Sequence, residues 1–229
     1  MHLVRPSAGR MTCKFNRAEK IARMGKCLIK KLDRKIDVRS ATLTRQCALA
    51  VKLCLLTGIR IGNEESAEGG LSLQGVKTYG LTTLQRTMIR IRGNSLVFKF
   101  VGKKGVNQYI CIADPRLIAQ VRGLLLSMPD IPTLFTVTDA DVRKFVHRYV
   151  GKRFKVKDFR TCFANCIATQ EIDYLLQQPV PGTKKELKER LQNLYIAVSA
   201  KLGNTPAIAK RAYVDPHRIQ KVLDWYSSK

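Results

Sequence analysis

The sequence predicts an α+β fold, mainly α-helical with a small three-stranded antiparallel sheet. Three observations predict it. Apolar residues recur every three or four positions through most of the chain. Residues 87–112 break that rhythm into short runs of β-branched and aromatic types parted by glycine turns. Beyond them, Asp114-Pro115, Thr205-Pro206 and Asp215-Pro216 each pair a capping residue with a proline suited to a first helical turn.

The elements follow in order. Residues 1–16 have weak periodicity and read as a loose arm, and Met1–Thr12 lacks the apolar run of a signal peptide. From Arg17 to Leu32, Ile21, Met24, Leu28 and Leu32 alternate with lysines and arginines, which predicts a basic amphipathic helix. Asp37–Ser40 reads as a loop with Ser40 as N-cap. Leu43, Cys47, Ala50, Val51 and Cys54 form the stripe of a second helix that stops at Thr57-Gly58. Strands are predicted over Thr87–Arg92, Leu96–Val101 and Gln108–Ile112, joined at Gly93-Asn94 and at Gly102–Gly105.

After Pro115, Leu117, Val121, Leu124 and Leu125 share a helical face that Pro129 and Pro132 terminate. Asp139–Val150 is a helix with an acidic first turn, favourable to the helix dipole. Lys157–Leu176 is a long helix, broken at Pro179–Gly182. Thr183 with Glu186 predicts a capping box for a helix that ends at Gly203. A short helix opens at Asn204 or Thr205 and carries Ala207–Tyr213. The last one runs from Asp215-Pro216 to about Tyr226. No internal repeat or low-complexity segment is visible.

Composition bounds the function. Of 229 residues, 42 are Lys or Arg and 17 Asp or Glu, a formal charge of +25. Apolar residues make up 45%, too many for a disordered basic tail. Such a charge repels itself and is stabilised by a polyanion, and nucleic acid is the partner it fits best. No apolar run approaches the ~18 residues of a spanning helix, and no amphipathic anchor flanks a polybasic run. Seven cysteines, with no C-x-x-C pair, and three scattered histidines argue against zinc and for reduced core thiols, Cys162 and Cys166 among them, in an intracellular or virion setting. Trp225 and Tyr226 read as packing in the last helix.

The chain has no P-loop and no carboxylate cluster to hold two metals. Chemistry on a phosphodiester would then fall to side chains: cations on the non-bridging oxygens, an acid for the leaving oxygen and a side-chain nucleophile. Four segments supply those parts. Gly58-Ile59-Arg60-Ile61-Gly62 sets an arginine between glycines, which implies close backbone approach. Gly102-Lys103-Lys104-Gly105 puts lysines on a hairpin tip. Lys157-Asp158-Phe159-Arg160 opens a helix with a second arginine. Asn204 precedes Tyr213 by nine residues, with Lys210 and Arg211 just before the tyrosine.

These segments, in this order, resemble the type IB DNA topoisomerases, and the compact poxvirus-like and bacterial branch most closely. The resemblance covers about residues 40–226, and Tyr79-Gly80-Leu81-Thr82-Thr83-Leu84 is similar to the same branch. It implies the topoisomerase IB and tyrosine recombinase catalytic fold, with Tyr213 as nucleophile and a 3′-phosphotyrosyl intermediate. Arg60 and Arg160 would neutralise the phosphoryl oxygens, with Lys103 as general acid and Asn204 as a neutral donor. Lys104, Lys157, Tyr79, Lys210 and Arg211 are secondary candidates. The implied protein relaxes duplex DNA as a monomer, without ATP, metal or other cofactor.

Two positions depart from the family pattern. Asn204 stands where histidine is common, and an amide can donate to oxygen but does not transfer a proton. Lys104 follows Lys103 where an acidic residue is common, so either lysine could reach the leaving group. The expected organisation is a basic arm and helix over residues 1–39 and a catalytic domain over 40–229. Relatives carry a small N-terminal clamp domain, so either the catalytic domain stands alone here or the clamp comes from elsewhere. DNA binding is then expected to be weaker and more salt-sensitive. The rivals are a tyrosine recombinase, whose His-x-x-Arg is Lys-x-x-Arg here, and a non-catalytic DNA-binding module.

Overall fold

The computed structural model describes residues 8–68 and 75–228, which divide into two compact units. One unit is continuous, residues 24–160. The other is assembled from the two ends of the chain, residues 1–23 and 161–229.

Helix α1 spans Ala8–Ile36 and is broken at Gly25, where φ is +33°. The arm expected over residues 1–16 is therefore helical from Ala8, with Phe15 and Ala18 buried; residues 1–7 of that expectation lie outside the described residues. Burial of Phe15 and Ala18 carries the apolar stripe back from Ile21 to Phe15, further than the charged neighbours suggest.

The continuous unit is organised around α2 (Leu43–Thr57), which is buried on nearly every side: Cys47 through Val51 are 0% exposed. A helix enclosed in this way is apolar all round. Thr42, not Ser40, caps it, its hydroxyl accepting from the Arg45 N–H. At the other end Gly58 adopts the left-handed conformation, and its N–H reaches the Cys54 carbonyl. Two charged side chains are buried in it: Arg45, which donates to the Arg39 carbonyl at 2.9 Å, and Lys52, 2% exposed, whose ammonium donates to Asp33 of α1 at 2.7 Å and to Gln120 at 2.8 Å. The Gln120 amide in turn donates to Asp33 and Asp37.

A short helix α3 (Glu64–Glu68) follows the arginine loop. The sheet has the predicted meander order, β1 (Ile89–Arg92), β2 (Ser95–Gly102) and β3 (Val106–Ile112), all antiparallel. Thr87 and Met88 belong to a 3-10 turn before β1. Alternation along β2 buries Leu96, Phe98 and Phe100, and the register sets Phe98 opposite Ile89 on one side and Ile110 on the other. Helix α4 (Pro115–Ser127) starts on Asp114, whose carboxylate accepts from the Leu117 N–H. Its last carbonyls are met by the Arg86 guanidinium, which donates to Leu125 at 2.9 Å and to Met128 at 2.8 Å. Helix α5 (Asp139–Tyr149) opens with a full capping box between Thr138 and Asp141.

Helix α6 spans Val156–Gln177. In the two-ended unit its residues from Ala164 onward pack with α7 (Lys184–Leu202), α8 (Pro206–Ala212) and α9 (Pro216–Ser227). Ala164, Ala168, Leu194, Val198, Leu202, Ala209 and Val222 form the core, with Trp225 and Tyr226 against it as expected. Only half of the predicted box at Thr183 forms. Its hydroxyl accepts from the Glu186 N–H, but the Glu186 carboxylate accepts from the Gly182 N–H instead. Gly203 ends α7 in the left-handed conformation and Thr205 caps α8. No described helix is long and apolar enough to cross a membrane.

Candidate active site

In the continuous unit, three of the expected segments are tied together by main-chain geometry. Arg60 lies two residues past the α2 cap, and its carbonyl accepts from the Leu81 N–H at 2.8 Å. The Ile61 carbonyl accepts from the Thr82 N–H, also at 2.8 Å, and from the Thr82 hydroxyl. At the other end of that segment the Tyr79 N–H donates to Val101 of β2 at 2.8 Å, two residues before Lys103. The Tyr79–Leu84 segment thus bridges the arginine loop to the lysine hairpin.

Glycines make this approach possible. A Cβ built on Gly80 would lie 2.5 Å from the Gly62 Cα and 2.7 Å from the Arg60 carbonyl oxygen. Real side chains do not occupy such distances, so the close approach predicted from the Gly-Ile-Arg-Ile-Gly pattern is present, with Gly80 as its partner.

Arg160 comes to the same place from α6. It is 4% exposed, and its guanidinium donates to the Gly58 carbonyl. Asp158, two residues earlier, accepts from the Lys155 N–H and fixes the helix start. Lys157 lies in this first turn. Beneath them burial pushes the Cys54 thiol up to about 12, with Arg160 working in the opposite sense. That thiol is neutral and inert at any physiological pH.

The hairpin tip Lys103–Gly105 is exposed. Lys104 has φ +67° and ψ +27°, the left-handed region that disfavours side chains. Lys103 has no such constraint and directly follows the end of β2.

In the two-ended unit, Tyr213 is the C-cap of α8 and is half-buried against the core. Its backbone is held at several points. The Tyr213 N–H donates to Ala209 at 3.0 Å. The Asn165 amide donates to the Tyr213 carbonyl at 2.8 Å, and the Asn165 Oδ1 accepts from the Asp215 N–H at 3.0 Å. One residue before the tyrosine, the Ala212 carbonyl accepts from the Lys14 ammonium. Asn165 and Lys14 were not singled out in the sequence. Asn165 had a visible signal, an amide in the middle of an apolar helix where it is a poor former.

Asn204 belongs to the same unit, between the α7 cap and α8. Both its amide nitrogen and oxygen are buried, with no hydrogen-bond partner among the described residues. Leaving such a group unmet costs about 1–3 kcal/mol. Lys210 and Arg211 are exposed on the last turn of α8, with the Lys210 ammonium over the Tyr195 ring at 5.5 Å. Cys162 is buried as expected, but Cys166 is exposed, because position 166 turns out of the α6 core face.

Comparison with known proteins fits this arrangement. The family model for the catalytic core of eukaryotic DNA topoisomerase I matches residues 9–228. DNA topoisomerase 1B of Acanthamoeba polyphaga mimivirus is 25% identical over 182 residues, covering 74% of this chain and 52% of the relative. DNA topoisomerase 1B of vaccinia virus (strain Copenhagen) is 28% identical over 151 residues, covering 65% of this chain and 46% of the relative. The chain thus spans about half the length of the curated relatives it matches. Among solved structures, XerH site-specific recombinase bound to palindromic difH substrate, in a post-cleavage complex, aligns with a TM-score of 0.53 at 14% identity. That alignment covers 86% of this chain and 51% of that one, a likeness of fold. Matched over residues 9–228, and carrying the arginine, lysine and tyrosine segments in order, the chain belongs to the type IB DNA topoisomerase family.

Proposed function

We propose that the protein relaxes supercoiled duplex DNA by transient cleavage of one strand. The observation that carries this reading is the main-chain bridge through Tyr79–Leu84, which sets the Arg60 loop beside the Lys103 hairpin while Arg160 bonds the same loop at Gly58. That main-chain arrangement supports a reading in which three cations serve one phosphodiester, the demand of phosphoryl transfer.

In this reading the Tyr213 phenolate oxygen forms a bond to phosphorus and the bond to the 5′ oxygen breaks. Lys103 gives that oxygen its proton. Arg60 and Arg160 hold the non-bridging oxygens, for which a planar guanidinium is better shaped than an ammonium. The Asn204 amide N–H supplies a further neutral donor, which gives its unmet nitrogen a partner. The strand then rotates, and the 5′ hydroxyl returns, displaces tyrosine and reseals the DNA. Neither ATP nor a metal enters these steps. The +25 charge grips the backbone, chiefly without reading bases.

The test is a supercoiled plasmid incubated with protein in EDTA and quenched with detergent. Relaxation is expected, together with a covalent DNA–protein band on the 3′ side of the nick that vanishes in Tyr213→Phe. Relaxation that persists in the phenylalanine variant overturns the assignment. Joining of two defined duplexes in place of relaxation would favour strand exchange.

A further inference from the structure

The two-ended unit contains a cavity of about 310 Å³ that none of the steps above uses. Its wall includes Cys162 and Cys166 of α6, Asn165 between them, and Asp215 and Arg218 at the start of α9. Cys166 is exposed and Cys162 is buried one helical turn before it. Asn165 and Asp215 are also the two residues bonded to each other just beyond Tyr213. The cavity therefore backs onto the clamp that holds the nucleophile.

We infer that Cys166 is a thiol modification site for small anionic disulfides, and that its occupation switches off the proposed strand transfer. The step balances without an added redox agent. The Cys166 thiolate attacks one sulfur of the disulfide, a mixed disulfide forms, and the other half leaves as a thiolate that takes up a proton.

Three features of the cavity favour this chemistry. The hydrogen bond from Cys162 holds the Cys166 thiol down at about 6; burial works against this, and the positive charge of Arg218 assists it. Besides these groups, Glu19 of α1 and Asp215 of α9 face the cavity, and neither outweighs the lowering. Arg218, bonded to Thr169 at 2.5 Å, offers its guanidinium to a carboxylate on the incoming disulfide. The volume admits a small organic group, but that group has to share space with the α6–α9 contact. An adduct there would part Asp215 from Asn165 and release the Tyr213 backbone.

This effect on activity rests on the relaxation reading; the modification itself does not. The test uses the 229-residue chain, reduced and then exposed to glutathione disulfide, with the adduct mapped by mass spectrometry and relaxation measured in parallel. With its pKa lowered to about 6, Cys166 is expected to be far more ionised at pH 6 than a thiol of ordinary pKa, by about a hundred-fold. Its lower nucleophilicity takes back about ten-fold of that advantage. Cys166 should therefore react roughly ten-fold faster at pH 6 than an unstructured cysteine peptide.

Relaxation should fall in step with occupancy and return with dithiothreitol. Cys166→Ser should relax DNA normally and resist the disulfide, and Cys162→Ser should slow the adduct at pH 6. Preferential labelling of Cys13, Cys27 or Cys111, or a Cys166→Ser protein as sensitive as the parent, overturns the inference. If the reduced protein relaxes no plasmid, the functional reading fails, and the labelling rate alone decides whether the site exists.

Discussion

The Asn165 side chain reaches across from α6 to hold the backbone of Tyr213, donating to its carbonyl at 2.8 Å and accepting from the Asp215 N–H two residues on. One buried amide thus satisfies the carbonyl of the residue proposed as nucleophile and an N–H two residues after it, and its own nitrogen also reaches the Thr161 carbonyl. Replacing it with alanine leaves those backbone groups unmet and the tyrosine free to wander. Asn165→Ala is expected to cut the rate of covalent complex formation by about 10- to 100-fold, the equivalent of one or two lost hydrogen bonds. DNA affinity should stay within about two-fold, since Asn165 is not among the charges that grip phosphates. A single-turnover cleavage assay beside a filter-binding titration checks both, and an unchanged cleavage rate rejects the positioning role.

The two hairpin lysines are separable because their backbones differ. Lys104 sits at φ +67°, a conformation natural to glycine, whereas Lys103 does not. Lys104→Gly should fold with stability within about 1 kcal/mol of the parent and keep most of its activity. Lys103→Ala should fold equally well and lose cleavage by about 100-fold or more, as expected for a general acid. A DNA substrate with a 5′-bridging sulfur, whose leaving group needs no proton, should restore cleavage to Lys103→Ala. The reverse pattern would make Lys104 the acid.

Gly80 and Gly62 meet back to back, so a methyl group has nowhere to go. Gly80→Ala is expected to cost about 2 kcal/mol or more in stability. Because the clash is with the Arg60 loop, activity should fall further than the fraction unfolded accounts for. Chemical denaturation and relaxation at matched folded fractions separate the two effects.

The Lys52–Asp33 pair links α2 to α1, and both side chains are almost wholly out of water. Lys52→Met leaves the Asp33 carboxylate, among the described residues, with Gln120 and the edge of the exposed Arg116. A loss of about 3–5 kcal/mol is expected. Pairing it with Asp33→Leu should recover much of that loss, as urea unfolding of the single and double variants would show; a double variant no better than the single one would mean that the pair is not acting through charge.

Much of this architecture was legible because local signals agreed with one another. Asp114, Thr205 and Asp215 each sit before a proline and each caps a helix, and the alternation in β2 matches its buried face. The failures came where a local signal was ambiguous or where a partner lies far along the chain. Ser40 and Thr42 are both good caps, and burial of the following helix selected the second. Phe15 and Ala18 were missed because the apolar surface that buries them is supplied by other elements of the fold. In the candidate site, Arg60, Lys103, Arg160, Asn204 and Tyr213 stood out by residue type and order. Asn165 and Gly80 did not, because one acts through a backbone 48 residues away and the other by lacking a side chain.

The bond from Lys14 to the Ala212 carbonyl closes a separation of 198 residues, and it lies one residue from Tyr213. During synthesis on the ribosome, residues 24–160 emerge complete and can fold, while the N-terminal helix waits for partners not yet made. The loop that must close costs on the order of 5 kcal/mol in chain entropy, recovered only when α7, α8 and α9 are present together. The backbone beside Tyr213, the proposed nucleophile, therefore gains this tie only after residue 212 has been made. In the proposed mechanism a growing chain would carry much of its basic surface before it carried the tyrosine, and one interrupted short of residue 213 would lack the proposed nucleophile.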